Sequence, residues 1–471
     1  MFIQQFFVKG LAHSSYLVAG ASTCAIVDPR RDVHLYIDAA EDMGMEITHI
    51  LETHLHADFV SGHMELAEKT GATIYAPKAG DSKFDHVALA EGDEFEIEDM
   101  VFRVVDVPGH TPEHIAYVVT DKSRGDDAAA LFCGDTLFVG DVGRPDLFPN
   151  RADELASKLF DSLHNTLMTL PDSCMVYPAH GAGSLCGRAM GAMRTSTIGY
   201  ERKYNAALQI EDRQEFIKSL TTNMPPAPDH FSRCTKINGL GPTLLRETPT
   251  MEPLPPREFQ EQTQRDNTLV LDVRSYSTFG GQHVPGAYHV DMGGNFATFA
   301  GWILPPDMDI LLVANHETEA HEARTWLRRV GLDNVVGWLD GGMFEWAKAG
   351  LPSSHVAIVS SHELNEMVCE GNATQLIDVR SPSEFEMNHI EGAINITAPD
   401  LRTEHSHLDQ NLATALICST GHRSSLGASL LAQHGFKKLY NIAGGMTGYA
   451  AAGFTGECPL CIIPHGPRFL G

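Results

Sequence analysis

The chain has 471 residues and a formal net charge of −27, a length that implies about three domains and a charge that excludes an extended phosphate-binding surface, so no nucleic-acid partner is expected. No apolar run approaches the ~18 residues of a membrane span, and "MFIQQFFVKG" lacks the basic start and long apolar core of a signal peptide. Nine cysteines at irregular spacings make no secreted disulfide framework, so a reducing cytoplasm with no membrane attachment is the expected setting.

The first elements are predicted from hydrophobic period and turn residues. Alternation predicts strands over 2–8 and 16–28, then a helix over 32–43, a strand over 47–51 and a helix over 61–70. A β-rich block follows at 93–108, with helices at about 151–168 and 200–219. Proline-rich stretches at 224–230 and 241–256 lack a period and read as linker or wrapping segments. These boundaries give a first domain over 1–245 built of two sheets with helices outside.

The remainder repeats itself. "LDVRSYSTFGGQHVPGAYHV" (271–290) matches "IDVRSPSEFEMNHIEGAINI" (377–396), and a Gly-Gly followed by a helix closes each copy. A period of about a hundred residues is too long for a solenoid unit. Two tandem α/β domains with mostly parallel sheets are expected, over 257–352 and 358–456.

Four segments of the first domain share one pattern, an apolar strand running into a loop with His or Asp. They are "ILETHLHAD" (50–58), "VVDVPGHTPEH" (104–114), "AALFCGDTLF" (129–138) and "CMVYPAHG" (174–181). Loops leaving one edge of a packed sheet can bring ligands from distant parts of a chain to one metal.

His54-x-His56-x-Asp58, Gly109-His110, Gly134-Asp135 and Pro178-Ala179-His180 together resemble the metallo-β-lactamase superfamily. The resemblance implies an αβ/βα sandwich with metal at the sheet edges. Two-metal members such as glyoxalase II carry a histidine after the Asp, where this chain has Phe59. Phenylalanine offers no lone pair, so one metal is expected. "THLHADFVSGH", "PGHTPEH" and "GDTLFVGDVGRPDLF" look like the persulfide dioxygenases, over roughly 1–230. That likeness implies one Fe(2+) per chain at His54, His110 and Asp135, a two-His, one-carboxylate set, with His56, Asp58 and His180 as hydrogen-bonding supports. The rival assignment makes those three ligands of a zinc pair, as in hydrolases. Arg144, soon after Asp135, is a candidate to bind an anionic thiol substrate. Cys186, six residues beyond His180, is a second candidate for substrate handling, on its likeness to dioxygenases fused to sulfurtransferase-like domains. Cys24, Cys133, Cys174, Cys234 and Cys369 read as structural.

"ALICSTGHRSS" (415–425) runs from an apolar strand into a Cys-x-x-x-x-Arg loop and then a helix. Loop amides and a helix start around a sulfur favour the thiolate. The pattern looks like a rhodanese sulfurtransferase, in which Cys418 would carry a persulfide while Arg423 and the loop amides hold anionic substrate. In the middle copy Ala314 aligns with Cys418 and Glu319 with Arg423, or Asn315 and Ala320 after a one-residue shift. Neither choice supplies a thiol or a cation, so a degenerate packing domain is expected, with that loop on the surface. "CPLC" (458–461) lacks the second pair of a metal knuckle and is given no catalytic role.

As a whole the chain resembles persulfide dioxygenase–rhodanese fusions. The expected partners are a low-molecular-weight thiol persulfide, O2, and sulfite or thiosulfate. The rivals are a dinuclear zinc thioesterase of glyoxalase II type fused to a sulfurtransferase, and a non-enzymatic persulfide sensor. The sequence leaves open the thiol carrier, the direction of transfer and whether the chain is a homo-oligomer.

Overall fold

The computed structural model describes residues 1–222, 224–369 and 374–454; the Cys-Pro-Leu-Cys stretch at 458–461 lies outside them. The chain divides into two compact units, one containing Met1–Glu247 and Arg328–Gly331, the other Thr248–Leu327 and the described residues from Leu332 onward. No helix among the described residues is long and apolar enough to cross a membrane.

The first unit holds two six-stranded sheets. One runs in chain order through Phe2–Val8 (β1), His13–Ala19 (β2), Thr23–Val27 (β3), Glu46–Leu51 (β4), Thr73–Pro77 (β5) and Val87–Leu89 (β6). The other is built from Glu94–Ile97 (β7), Met100–Asp106 (β8), Ile115–Asp121 (β9), Ala128–Gly134 (β10), Met175–Pro178 (β11) and Ser196–Thr197 (β12), in the order β12-β11-β10-β9-β8-β7. One core lies between the sheets, with Tyr16, Val18, Val27 and Leu51 from the first against Phe102, Val104, Tyr117 and Phe132 from the second. A second core packs the helices His34–Asp42 and His63–Thr70 on the outer face of the first sheet, through Tyr36, Ala40 and Leu66. A third packs Ala152–Asp161 and Arg213–Thr221 on the outer face of the second, through Leu159, Phe216 and Leu220. The layers are αβ/βα.

Local chemistry moved two predicted boundaries. The helix expected over 200–219 is two helices, Ile198–Tyr204 and Arg213–Thr221. Asn205 turns extended after the first, and the Asp212 side chain accepts the Glu215 N–H to start the second. Part of the stretch read as linker, Glu252–Leu254 (β13), pairs in parallel with a later strand and belongs to a sheet. Its proline, Pro253, hides it, but as an edge strand it can spare the missing donor.

The second unit carries two five-stranded sheets of the same plan. The first comprises β13, Thr268–Asp272 (β14), Tyr288–His289 (β15), Asp309–Val313 (β16) and Val335–Leu339 (β17), in the order β13-β17-β16-β14-β15. The second comprises Ala357–Val359 (β18), Thr374–Asp378 (β19), Ile394–Asn395 (β20), Ala413–Ile417 (β21) and Leu439–Ile442 (β22), in the order β18-β22-β21-β19-β20. The strand pairs within each are parallel. In both, the arginine of Asp-Val-Arg folds back on its aspartate, Arg274 Nε on Asp272 Oδ1 at 2.8 Å and Arg380 Nε on Asp378 Oδ1 at 2.9 Å. Both pairs are buried, which explains why the motif survives in the copy that lost its thiol.

Candidate functional site

The donors of the first unit leave strand ends in both sheets. Thr53 and His54 follow β4, His110 and His114 lie between β8 and β9, Asp135 follows β10 and His180 follows β11. β10 and β11 pair in parallel with Gly134 opposite Pro178, so Asp135 and His180 emerge side by side. Gly134 has φ +51°, and a Cβ there would meet the His114 ring at 2.4 Å and Thr53 Oγ1 at 2.5 Å. Only glycine lets this strand end approach the histidines.

His54, His110 and Asp135 each bring one ligand atom into a common cluster within 4.8 Å. His54 Nε2 is 3.8 Å and His110 Nε2 3.3 Å from Asp135 Oδ2. All three residues are fully buried, and these three atoms have no hydrogen-bond partner. Leaving a buried polar atom unpaired costs about 1–3 kcal/mol, so three together describe a place built for a shared cation.

The tautomers agree. His110 Nδ1 is 2.9 Å from the Arg144 carbonyl, which can only accept, so Nε2 is left with its lone pair. The Thr53 hydroxyl donates to the Asp28 carboxylate at 2.9 Å, so it accepts from His54 Nδ1 at 2.9 Å, again leaving Nε2 bare. Burial pushes both imidazoles below the usual histidine value and keeps them neutral. For Asp135, burial opposes ionisation, but His180, together with His110 and His56, outweighs it and holds the carboxyl far below the usual range.

The supporting residues differ in what they hold. His180 bridges two carboxylates, with Nδ1 2.7 Å from Asp135 Oδ1 and Nε2 2.9 Å from Asp58 Oδ2. Burial opposes its charge, yet the two carboxylates hold it protonated well above the usual histidine value. His56 turns Nε2 to Asp28 Oδ1 at 3.1 Å. Phe59 is fully buried, its ring 4.4 Å from that of His56. Cys186 is buried and forms a second donor cluster with Asp58 and His180; burial, and then Asp58 and Asp135, push its thiol up and keep it uncharged.

Arg144 is buried, not on the surface. Its guanidinium donates to Asp146 at 2.6 and 2.8 Å, to the Leu185 carbonyl at 3.1 Å and to the Pro225 carbonyl at 2.6 Å. These bonds use four of the five guanidinium N–H donors, so an anionic substrate there, as the sequence suggested, would meet at most the remaining Nη1 hydrogen.

Two residues of the site escaped the sequence reading. His114 accepts the Asp135 backbone N–H at 2.9 Å and stacks on His54 at 4.4 Å; burial lowers its pKa to about 3, so it stays an acceptor. Its signal was present as the last residue of "PGHTPEH". His13 is fully buried with both ring nitrogens unpartnered, 4.1 Å from the Phe59 ring and 5.3 Å from the His180 ring. It opens β2, three residues before the predicted strand, because the polar His13-Ser14-Ser15 start reads as loop.

In the second unit Cys418 follows β21 directly and is 1% exposed. The Gly421 N–H points at its sulfur at 3.1 Å, and the Ser424 hydroxyl lies 3.4 Å away. Arg423 is held by Glu384, with N–O distances of 2.7 and 2.8 Å, and reaches Ser419 Oγ at 2.6 Å. The guanidinium expected to hold substrate is therefore neutralised by a carboxylate, and the Gly421 amide is the one that faces the sulfur.

β16 and β21 hold equivalent places beside β14 and β19, where Val313 and Ile417 stand opposite Asp272 and Asp378. Ala314 thus occupies the place of Cys418, which decides between the two sequence alignments. The middle loop is also shorter, its helix opening at Glu317 against His422. Glu319 folds back to accept the Asn315 N–H at 2.5 Å. Ala314 is 3% exposed, which corrects the expectation that it lies on the surface. Cys24, Cys133, Cys174 and Cys234 are buried, and burial pushes Cys24 and Cys174 up to about 12.

Comparison with known proteins places these sites in families. The metallo-beta-lactamase superfamily matches residues 8–180, and the rhodanese-like domain matches 255–349 and 360–452. A hydroxyacylglutathione hydrolase of Methylococcus capsulatus is 36% identical over 34% of this chain and 58% of its own length. The chain spans less than two thirds of the length of such curated relatives. Among solved structures, a protein titled ETHE1 from Myxococcus xanthus is 29% identical, covering 50% of this chain and 98% of that one with a TM-score of 0.44. The structure titled metallo-beta-lactamase from Staphylococcus aureus is 33% identical, with a TM-score of 0.65, over 72% of this chain and 98% of that one. With its two-sheet sandwich, its strand-end donors and the paired domains behind them, the chain belongs to the metallo-beta-lactamase superfamily and carries two rhodanese-like domains.

Proposed function

We propose that the chain oxidises the outer sulfur of a low-molecular-weight persulfide with O2 and passes sulfur through Cys418. The first reaction is R–SSH + O2 + H2O → R–SH + SO3(2−) + 2 H+, four electrons leaving the outer sulfur for O2. The second joins sulfite to a persulfide sulfur carried on Cys418, giving thiosulfate and regenerating the thiol.

The observation that carries this reading is the buried trio His54, His110 and Asp135 beside Phe59, one mononuclear donor set where a metal pair would need another nitrogen. Iron(II) held there by two histidines and a carboxylate would supply open positions for O2 and substrate, the electrons coming from the outer sulfur. The chain's own residues set the rest. His180 and the His114 ring hold Asp135 in place by its side chain and its backbone. Phe59 puts an apolar ring with no lone pair where two-metal members carry a histidine, packed on His13 and His56. Cys186, kept as a thiol beside Asp58 and His180, is placed to meet a sulfur substrate.

The test is metal analysis of protein purified without oxygen, with oxygen uptake on synthetic persulfides. We expect about one iron per chain, and His110→Ala should lose both metal and uptake, by at least about a hundredfold. Two zincs with thioester hydrolysis and no uptake would overturn the reading.

A specific observation favours a second reading. Asp58, His180 and Cys186 form their own donor cluster, and the curated relatives are named hydroxyacylglutathione hydrolases. A dinuclear hydrolase would use both clusters. Against it, both ring nitrogens of His180 already face carboxylates.

A further inference from the structure

The sulfur-transfer reading of Cys418, on which this inference rests, leaves the middle domain without a role in chemistry, since its own loop has neither thiol nor arginine. Yet its sheet edge carries side chains onto the Cys418 loop. Asp291 follows β15 and is 7% exposed. Its Oδ2 accepts the Tyr276 N–H at 2.7 Å, and its Oδ1 accepts the Gly293 N–H at 2.7 Å. The carboxylate so fixed lies 3.0 Å from Nδ1 of His422, between Gly421 and Arg423 of the loop. Burial opposes the charge on Asp291, but His422 and these amides hold its carboxyl below the usual range.

Tyr276 covers the same stretch. Its ring stands edge-on to His422 at 5.3 Å, and a Cβ on Gly421 would come within 3.0 Å of its Cζ. Below the loop, Ser429 Oγ accepts the His289 N–H at 3.0 Å, tying β15 to the helix that the loop starts. Two residues of the middle domain therefore lie against the stretch whose Gly421 N–H aims at the sulfur, Tyr276 by ring packing and Asp291 at ion-pair distance from the His422 ring.

That contact has a chemical consequence. With Arg423 neutralised by Glu384, charge on the transferred sulfur depends on loop amides. A misplacement of about 1 Å in a positioned donor can cost on the order of a hundredfold in rate.

We propose that Asp291 of the middle domain is a positioning residue for sulfur transfer at Cys418, acting through His422 to keep the Gly421 amide on the sulfur. In the step concerned, the Cys418 thiolate attacks the outer sulfur of thiosulfate. A Cys418–sulfur bond forms, the thiosulfate S–S bond breaks and sulfite leaves with the electron pair. Cyanide then takes the outer sulfur as thiocyanate and the thiolate returns.

The experiment uses the full chain with thiosulfate and cyanide, comparing parent, Asp291→Asn, His422→Gln and the double variant. Each single change should lower kcat about tenfold with KM for thiosulfate within about twofold, at a Tm close to the parent's. The double variant should be no worse than either single, because the two residues act as one unit. Parent-like kcat in Asp291→Asn, or losses that multiply in the double variant, would overturn the inference. Should Asp291→Asn fail to fold, His422→Gln decides alone, and parent-like turnover refutes it. An inactive parent sinks the transferase reading and this inference with it, whereas an active parent with indifferent variants sinks only this one.

Discussion

Phe59 packs between His13 and His56, with ring centroids 4.1 and 4.4 Å away, and its full burial is worth about 1.5–3 kcal/mol. Phe59→His would exchange part of that for an imidazole near Asp58 and His180. We expect metal content to rise from about one toward about two per chain, with some loss of Tm. Unchanged metal content would show that His180, held by two carboxylates, decides the count instead. At the other site, Cys418→Ser removes the proposed sulfur carrier and leaves the first unit's donors untouched. Persulfide-dependent oxygen uptake should persist within about twofold while sulfite accumulates in place of thiosulfate. Thiosulfate formed at the parent rate would remove Cys418 from the scheme.

At the scale of elements, the Gly-Gly that closes each repeat has a steric cause. Gly445 has φ +54°, and a Cβ there would lie 2.2 Å from the Cys418 carbonyl oxygen. Its counterpart Gly342, at φ +59°, would place a Cβ 3.1 Å from the Ala314 oxygen. The helix after β22 is therefore docked onto the Cys418 loop more tightly than its counterpart after β17 is onto the Ala314 loop. Gly445→Ala should destabilise by about 3 kcal/mol, a Tm loss on the order of 10 °C, and lower sulfur transfer. Gly342→Ala should cost about 1 kcal/mol, mostly from its left-handed backbone. Thermal unfolding of the two variants checks the order, and equal losses would show that the closer contact is relieved by backbone movement.

At the scale of the whole molecule, the middle domain keeps its sheet and its buried Asp272–Arg274 pair without a nucleophile. Its value then lies in what it presents to its neighbour. Deleting 257–352 should lower sulfur transfer by more than about tenfold, because it removes Tyr276, Asp291 and the β15 contact together. Glu319→Ala, which alters only the middle loop, should transfer sulfur at the parent rate. A large loss from Glu319→Ala with the fold intact would make that loop a working site. These assays with thiosulfate and cyanide separate the domain's contribution from anything at the metal centre.

The sequence by itself determined the architecture and the donor types. Strand-then-His loops, the tandem Asp-Val-Arg repeats and the Cys-x-x-x-x-Arg spacing are local patterns, and local patterns are written in adjacent residues. Phe59 and the missing thiol of the middle copy were equally legible. Tertiary structure alone decided which way the side chains face. Arg423 and Arg144 read as substrate-binding cations, but a guanidinium pairs with whatever carboxylate the fold brings near, and Glu384 and Asp146 were already there. His13 hid in a polar strand start, and Asp291 gave no signal because its partner His422 is 131 positions away. Contacts between residues so far apart arise when sheets and helices pack, and no period or motif in a single chain records them.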